Sequence, residues 1–426
     1  MDICVIGAGY VGLTTSAVLA NFGHNVYCVE KESEKVEMLK RSKIPIFEPG
    51  LEEMVVENQR KERLAFTTDL SKAIEESSII FVTVGTPAST DGSPNLSFLN
   101  KVVDELVPLI QSYKIIVIKS TVPLGTNERI HKELMERGVS PDLFDVVSNP
   151  EFLREGSAVH DMQYPDKIVI GVKSLRPIEQ MQKLYQDIEA PSIITSLTGA
   201  EMIKYASNAF LAMKISFINE IARISEAYHV DITEVALGLG MDPRVGPYFL
   251  QAGLGYGGSC FPKDLCALEF LAKEKEITPH LLQATREVNE TQIEQYMKKI
   301  RKEFPDLTNK KLTVWGAAFK PNTDDIRHSQ AMKLIEQLAR EGCHLHVYDP
   351  VVTVAMPHVT FYQSLYDSID QTDGIIIATD WNQFKEADWS FIKEKMKGKI
   401  VIDCRNCIEP SRIKNNGLTY VGVARP

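Results

Sequence analysis

The glycine run Gly7-Ala-Gly9-Tyr-Val-Gly12 constrains this chain more than any other feature, because it stands between an apolar strand pattern and a helical one. Residues 2–6 read as a strand, the run through Ala20 as a helix, and Val26-Tyr-Cys-Val29 as a second strand closing on Glu30. Strand, glycine turn, helix, strand and acidic residue together form the dinucleotide-binding fingerprint. Gly7 permits the tight turn, Gly9 lets the backbone approach a pyrophosphate, and Gly12 lets helix and strand pack closely. The pyrophosphate then lies at the positive helix N-terminus. Glu30 is placed to accept from the adenosine ribose hydroxyls and would repel a 2′-phosphate, which favours NAD over NADP.

Further short apolar runs continue an open parallel sheet: Ile79–Val84, Ile115–Ile118, Asp145–Val147 and Ile168–Ile170. Ligands of such sheets bind outside the carboxyl ends of the strands. Three of the runs end in Gly85-Thr86-Pro87, Ser120-Thr121-Val-Pro123 and Ser148-Asn149-Pro150-Glu151, so Thr86, Thr121 and Glu151 to Glu155 are positioned to face a cofactor. Near residue 197 the character changes. Thr198-Gly-Ala-Glu201 predicts a capping box opening a helix that is apolar on nearly every face from 202 to 224, a pattern of burial between domains or subunits. Lys204 and Asn208 share one face of it at i, i+4, and a lysine on a buried helix needs a partner or a task.

Gly257-Gly-Ser-Cys260-Phe-Pro-Lys263-Asp264 sets a cysteine in a glycine-flanked loop with a cation and a carboxylate close behind. Thiolate, the nucleophilic form, is favoured by a nearby cation or a helix N-terminus. Lys263 supplies the first, and a helix starting at Pro262 supplies the second; the apolar spacing of Leu265, Ala267, Leu268, Phe270, Leu271 and Ala272 supports that start. A hydride acceptor and a poised thiol in one chain suggest oxidation of an alcohol through an aldehyde to an acid.

Beyond the polar stretch 304–311 a second α/β unit begins, with strands at Leu312–Trp315, before Asp349, at Gly374–Ala378 and at Ile400–Ile402, a helix at about 329–341, and no glycine fingerprint. The expected organisation is therefore α/β. An NAD-binding Rossmann domain occupies 1–196, a helical, dimerising and catalytic-loop region 197–300, and a Rossmann-like nucleotide-sugar domain 310–426.

At 426 residues the chain exceeds one ordinary core. Its formal charge of −10, from 47 basic and 57 acidic residues, opposes broad nucleic-acid or anionic-membrane binding. No apolar stretch approaches the ~20 residues of a membrane span, and Met1–Ile6 predicts a strand and not a secretory leader. Seven scattered cysteines point to a reducing cytosol and against a disulfide framework. Cys404-Arg-Asn-Cys407 lacks the second half of a zinc site, and no metal is expected.

These motifs, with Asn149-Pro-Glu-Phe-Leu-Arg-Glu155, Glu201 to Asn208 and Phe319-Lys320 through Arg327, resemble in their order the nucleotide-sugar 6-dehydrogenases over nearly the whole chain. The resemblance implies that Cys260 is a nucleophile surrounded by Lys204, Asn208 and Asp264, with Thr121 and Glu155 managing the hydrolytic water. It implies nucleotide-sugar contacts from Glu151, Phe152, Leu153, Arg154, Glu155, Lys204, Asn208, Phe249, Leu250, Gln251, Ala252, Gly253, Gly257 and Lys320. NAD contacts would come from Gly7, Gly9, Val11, Gly12, Glu30, Lys35, Thr86, Thr121, Glu155, Lys263 and Arg327. Arg244 would reach the substrate of a partner in a homodimer. UDP-glucose is the implied substrate, with GDP-mannose and UDP-N-acetylhexosamines as alternatives. A two-electron hydroxyacid dehydrogenase would leave Cys260 and residues 311–426 unexplained, and a silent NAD-binding scaffold would leave the constellation of Cys260, Lys204 and Asp264 unexplained.

Overall fold

The computed structural model describes residues 1–89 and 92–426. The chain divides into two units, Met1–Ser207 with Cys266–Glu276, and Asn208–Leu265 with Ile277–Pro426. In the first, eight strands form one sheet: β1 (Asp2–Ile6), β2 (Asn25–Val29), β3 (Leu64–Thr67), β4 (Ile79–Val82), β5 (Lys114–Ile118), β6 (Phe144–Ser148), β7 (Ile168–Val172) and β8 (Ser192–Thr195). Their order is β3-β2-β1-β4-β5-β6-β7-β8. Side chains alternate across a strand, and the core follows: Ile3, Val5, Ile79, Phe81, Ile115 and Val117 pack on one face, Cys4, Ile6, Ile80, Val82, Ile116 and Ile118 on the other. Both faces are buried, as continuous apolar runs require of parallel strands.

One junction departs from the expected parallel order, for β7 runs antiparallel to β6. Strands β3 and β8 carry too short a pattern to stand out. β8 is also an edge strand with Ile193 and Ile194 exposed, so burial did not shape its sequence.

The second unit holds an all-parallel sheet of six strands: β9 (Lys311–Trp315), β10 (His344–Tyr348), β11 (Val359–Tyr362), β12 (Gly374–Ile377), β13 (Ile400–Asp403) and β14 (Thr419–Val421). Their order is β11-β10-β9-β12-β13-β14. Leu312, Val314, Ile376 and Ile402 face one core cluster; Trp315, Ile375, Ile377 and Val401 face the other. The helix Gln330–Arg340 starts where expected, with the Ser329 hydroxyl accepting from Met332 N–H. Cys404 is buried at the end of β13. Among the described residues no group of three His, Cys, Asp or Glu side chains could hold a metal, and no helix is long and apolar enough to cross a membrane.

The predicted capping box is replaced by a longer-range arrangement. The long helix runs Leu197–Ala227 and is capped by Ser196, whose hydroxyl accepts from Gly199 N–H at 3.0 Å. Glu201 instead reaches the start of the helix Thr126–Glu136, accepting from Gly125 N–H (2.5 Å), Asn127 N–H (2.8 Å) and the Asn127 amide (2.6 Å). A serine two residues upstream frees the carboxylate to satisfy another helix's orphan donors. Nor is the helix covered all round: Tyr205, Ala209, Ala212, Ile218 and Ala222 are buried, whereas Phe210 (58%), Phe217 (47%) and Ile224 (52%) form an exposed stripe at seven-residue spacing.

Candidate functional site

In the first unit the glycine turn has the geometry its sequence demands. Gly9 precedes the helix Tyr10–Asn21, and a side chain built on it would meet nothing within 4 Å, which leaves open space before the first turn. Gly12 has no such freedom: its Cβ would lie 1.8 Å from the Gly7 carbonyl oxygen. Val11 is half-buried beside it. Glu30 accepts from Lys31 N–H (2.8 Å) and Ala8 N–H (3.4 Å) and pairs with Lys35 at 3.1 Å. Burial pushes its carboxyl up, but the Lys35 hydrogen bond and charge and the Glu32 and Ala8 N–H groups outweigh that and hold it below its usual range. An ionised acceptor, an open glycine and a helix N-terminus fit NAD, which would lie against Gly7, Gly9, Val11 and Gly12. Thr86 is buried, its hydroxyl donating to the Thr121 carbonyl at 2.7 Å, so these two strand-end segments are pinned together.

A buried charge cluster follows β5 and β6. Lys204 donates to Glu151 at 3.0 Å, their side chains only 3% and 7% exposed. Glu151 also accepts from Leu153 N–H at 2.6 Å. Burial raises its carboxyl, and the Lys204 charge and hydrogen bond, the Leu153 N–H and the Lys119 charge more than offset this, so it lies below the usual range. Phe152 stacks under two ammonium groups, Lys167 at 4.6 Å and Lys204 at 5.3 Å. The rest of the segment is held from outside: Glu48 accepts from Gly156 and Ala158 N–H, each at 2.7 Å, and Arg154 is committed to Asp161 through its backbone (2.9 Å) and guanidinium (2.9 and 2.6 Å). Glu155 is half-buried.

In the second unit Cys260 occupies the position just before the helix Phe261–Glu274, its carbonyl accepting from Asp264 N–H at 3.0 Å. The thiol is half-buried, with the Ser259 hydroxyl 3.4 Å from the sulfur. The helix N-terminus expected from Pro262 is therefore present, and it favours negative charge on the sulfur. Asp264, 2% exposed, has one carboxylate oxygen on the Asn208 amide at 2.6 Å and the other on Lys263 at 2.5 Å. The cation behind the cysteine is thus paired with the adjacent carboxylate.

The segment before the cysteine is clamped by buried amides. Gly253 N–H donates to Asn219 at 2.8 Å, and the Gly253 carbonyl accepts from Gln292 at 2.8 Å. Asn289 bonds both the N–H (2.8 Å) and carbonyl (3.1 Å) of Tyr256, and Gln330 adds a bond to that carbonyl at 3.0 Å. Leu250 and Ala252 are buried, Gln251 donates to the Arg405 carbonyl at 3.0 Å, and Phe249 adopts φ +63°. Gly258 has φ +78°, and a Cβ there would lie 2.8 Å from the Phe319 ring; at Gly257 it would lie 2.4 Å from the His328 carbonyl oxygen. Lys320 lies 5.5 Å from the Phe319 ring centre. Arg327, more than half exposed, grips Asp325 with two 2.8 Å bonds while its carbonyl accepts from Gly258 N–H. Arg244 stands on the surface, 89% exposed, paired with Asp242 at 2.6 Å.

Residues 1–189, 198–291 and 313–410 match, in turn, the NAD binding, central and UDP binding domains of the UDP-glucose/GDP-mannose dehydrogenase family. The chain belongs to this family. It is an NAD-dependent oxidoreductase. It is 49% identical over its whole length to the full length of YtcA from Bacillus subtilis (strain 168), provisionally named a UDP-glucose 6-dehydrogenase. The UDP-glucose 6-dehydrogenase TuaD of the same organism is 41% identical, covering all of this chain and 93% of that one. The structure of a UDP-glucose dehydrogenase from the hyperthermophilic archaeon Pyrobaculum islandicum superposes with a TM-score of 0.92 at 34% identity, covering 100% and 98% of the two chains.

Several residues of this family member escape a reading of its sequence. Lys119, Glu48, Asn219, Asn289, Gln292 and Gln330 are all buried and act on backbone or charge near residues the motifs do mark. Asn219 lies eleven residues, three helical turns, beyond Asn208, and a second amide on the same helix was the one available signal.

Proposed function

We propose that this chain oxidises UDP-glucose to UDP-glucuronate in two successive two-electron steps through a covalent intermediate on Cys260. Bound NAD⁺ supplies the hydride acceptor for each step. The 6-hydroxyl loses its proton as carbon 6 gives up a hydride, leaving an aldehyde, and the Cys260 thiolate adds to it as a thiohemiacetal. Loss of a second hydride leaves a thioester. Water, activated near Asp264 or Glu155 and managed by Thr121, releases the acid and returns the thiolate. Overall, alcohol, water and two NAD⁺ become carboxylate, two NADH and three protons. Lys204 and Asn208, one turn apart on one helix, are the donors for the oxyanion of the tetrahedral steps.

Cys260 at the head of the helix Phe261–Glu274 carries this reading, since a two-electron dehydrogenase has no use for a nucleophile placed there. UDP-glucose is preferred to GDP-mannose or a UDP-N-acetylhexosamine on the names of the full-length relatives. The experiment is the yield of NADH per sugar consumed across those nucleotide sugars. Two per UDP-glucose is expected; one, with free aldehyde, overturns the reading.

The working assembly in this proposal is a cytoplasmic two-fold dimer built on the long helix. The exposed stripe Phe210, Phe217 and Ile224, with Leu237 (64%), Met241 (75%) and Tyr248 (76%), supports it, and Arg244 on the adjacent loop would serve the partner's substrate phosphate. Three regions, 1–196, 197–300 and 310–426, would then divide NAD binding, dimerisation with catalysis, and UDP-sugar binding.

A further inference from the structure

The six-stranded sheet of the second unit repeats the order of the first six strands of the other sheet, β11-β10-β9-β12-β13-β14 against β3-β2-β1-β4-β5-β6. The correspondence extends to the turn after the central strand. Ile6 pairs with Val29 and Trp315 with Tyr348. Gly7 N–H donates to the Val29 carbonyl and Gly316 N–H to the Tyr348 carbonyl, each at 2.8 Å. Both glycines have positive φ, +104° and +99°. Counted from these pairs, Ala317 matches Ala8, Ala318 matches Gly9, and Asp349 matches Glu30. In the first unit these positions leave the turn open. One Glu30 oxygen touches it at Ala8 N–H, 3.4 Å away, and the other is spent on Lys31 and Glu32 N–H. The helix Tyr10–Asn21 has Gly9 at its N-cap and so carries no capping side chain.

In the second unit the same places are filled from within. One oxygen of the buried Asp349 accepts from Ala317 N–H (2.8 Å) and Ala318 N–H (3.1 Å), and the other accepts from Val351 and Val352 N–H, each at 3.1 Å. The next amide, Phe319 N–H, donates to the Asp325 carbonyl at 3.1 Å. The helix that follows begins only at Gln330, where the Ser329 hydroxyl accepts from Met332 N–H (3.2 Å) and donates to the Ala317 carbonyl (2.7 Å). Converging backbone N–H groups and a helix N-terminus are the two features that seat a pyrophosphate in a fold of this kind. Here a buried carboxylate holds the first and a serine the second. We propose that Asp349 is a specificity residue: its carboxylate takes the place that a pyrophosphate takes on the first sheet, which keeps NAD to the first unit and leaves the second to the substrate nucleotide, held by other groups. A dinucleotide arriving at this turn meets a like charge and two amides already bonded, a penalty on the wrong ligand that requires no contact with the right one. The alanine fits the same reading. With no phosphate to approach the backbone, the position equivalent to Gly9 can carry the Cβ of Ala318.

This inference rests on the NAD dependence of the family and not on which sugar is oxidised, so it is tested by binding alone and stands or falls apart from the NADH yield. Equilibrium dialysis of NAD⁺ against the wild-type chain is expected to reach one NAD⁺ per chain and to stay there at millimolar concentration. Two per chain overturn the inference without any variant. Removing the carboxylate frees the amides for a small anion while Ala318 still bars the dinucleotide, so inorganic pyrophosphate is the probe. With the first unit saturated by NAD⁺, pyrophosphate at about 10 mM, roughly tenfold over a millimolar Kd, is expected to raise the Tm of Asp349→Ser by about 3–6 °C more than that of the wild type. Equal shifts in the two proteins overturn the inference. Asp349→Asn keeps the shape and loses the charge; a gain in the same direction is expected there, and it decides the matter if Asp349→Ser does not fold by circular dichroism.

Discussion

Glu151→Gln tests the buried charge cluster as a stability element. The substitution keeps shape and removes a carboxylate charge that Lys204 pairs with and Lys119 feels. Both partners of the ion pair are more than nine-tenths buried, so no discount for solvent screening applies. Breaking one side of a buried pair costs about 3–5 kcal/mol. For a folding unit of roughly 200 residues each kcal/mol lowers Tm by about 2–4 °C, so a fall on the order of 10 °C is expected. The pH dependence has a definite sign. The Glu151 carboxyl lies below its usual value when folded, so its contribution is present above the unfolded pKa and lost as pH falls through the folded one. In the variant Lys119, already lowered by burial and now without the Glu151 charge, binds its proton less tightly folded than unfolded, so stability is regained as pH rises. The deficit is therefore largest near pH 6 and narrows toward pH 9 and toward strong acid. Adding Lys119→Met to Glu151→Gln removes a buried cation that has lost the Glu151 charge and should return at least about 1 kcal/mol, a coupling outside ordinary additivity. Thermal unfolding followed by circular dichroism at three pH values measures all of this. A deficit under about 0.5 kcal/mol, the same at every pH, would refute the reasoning.

Gly258→Ala forces a side chain into φ +78° and onto the Phe319 ring; strain of about 1–3 kcal/mol next to Cys260 should lower kcat on the order of tenfold while NAD⁺ binding by calorimetry stays unchanged. Arg244→Ala should weaken sugar binding alone, and mixing it with Cys260→Ser should restore activity if Arg244 acts across a dimer, since one site of each mixed dimer is then intact. No recovery, with subunit exchange confirmed by mass, would contradict a shared site.

The parts of the site legible in the sequence are those whose physics is local. The glycine turn, the apolar strands and a proline opening the helix behind Cys260 each declare themselves within a dozen residues. Glu201 illustrates the limit: three residues after Thr198 it resembles a local cap, yet its donors are Gly125 and Asn127, more than seventy residues away. Lys119 at a strand end looks like a solvated lysine until Asn149 and Tyr185 enclose it. Asn289, Gln292 and Gln330 lie on amphipathic helices where an amide reads as surface, and only the fold turns them toward the backbone at Gly253 and Tyr256. The long helix was legible as apolar, but which stripe a single chain leaves exposed is decided by packing.

The central claim is that carbon is held on the Cys260 sulfur between the two oxidations. Rapid acid quench during turnover of UDP-glucose, followed by digestion and mass spectrometry, tests it most directly. The account predicts an acyl adduct on the peptide carrying Cys260 in the wild type that decays as free UDP-glucuronate appears, and a slow, persistent ester at the same position in Cys260→Ser. Near-normal turnover by Cys260→Ser, with no adduct on that peptide in either protein, would contradict it.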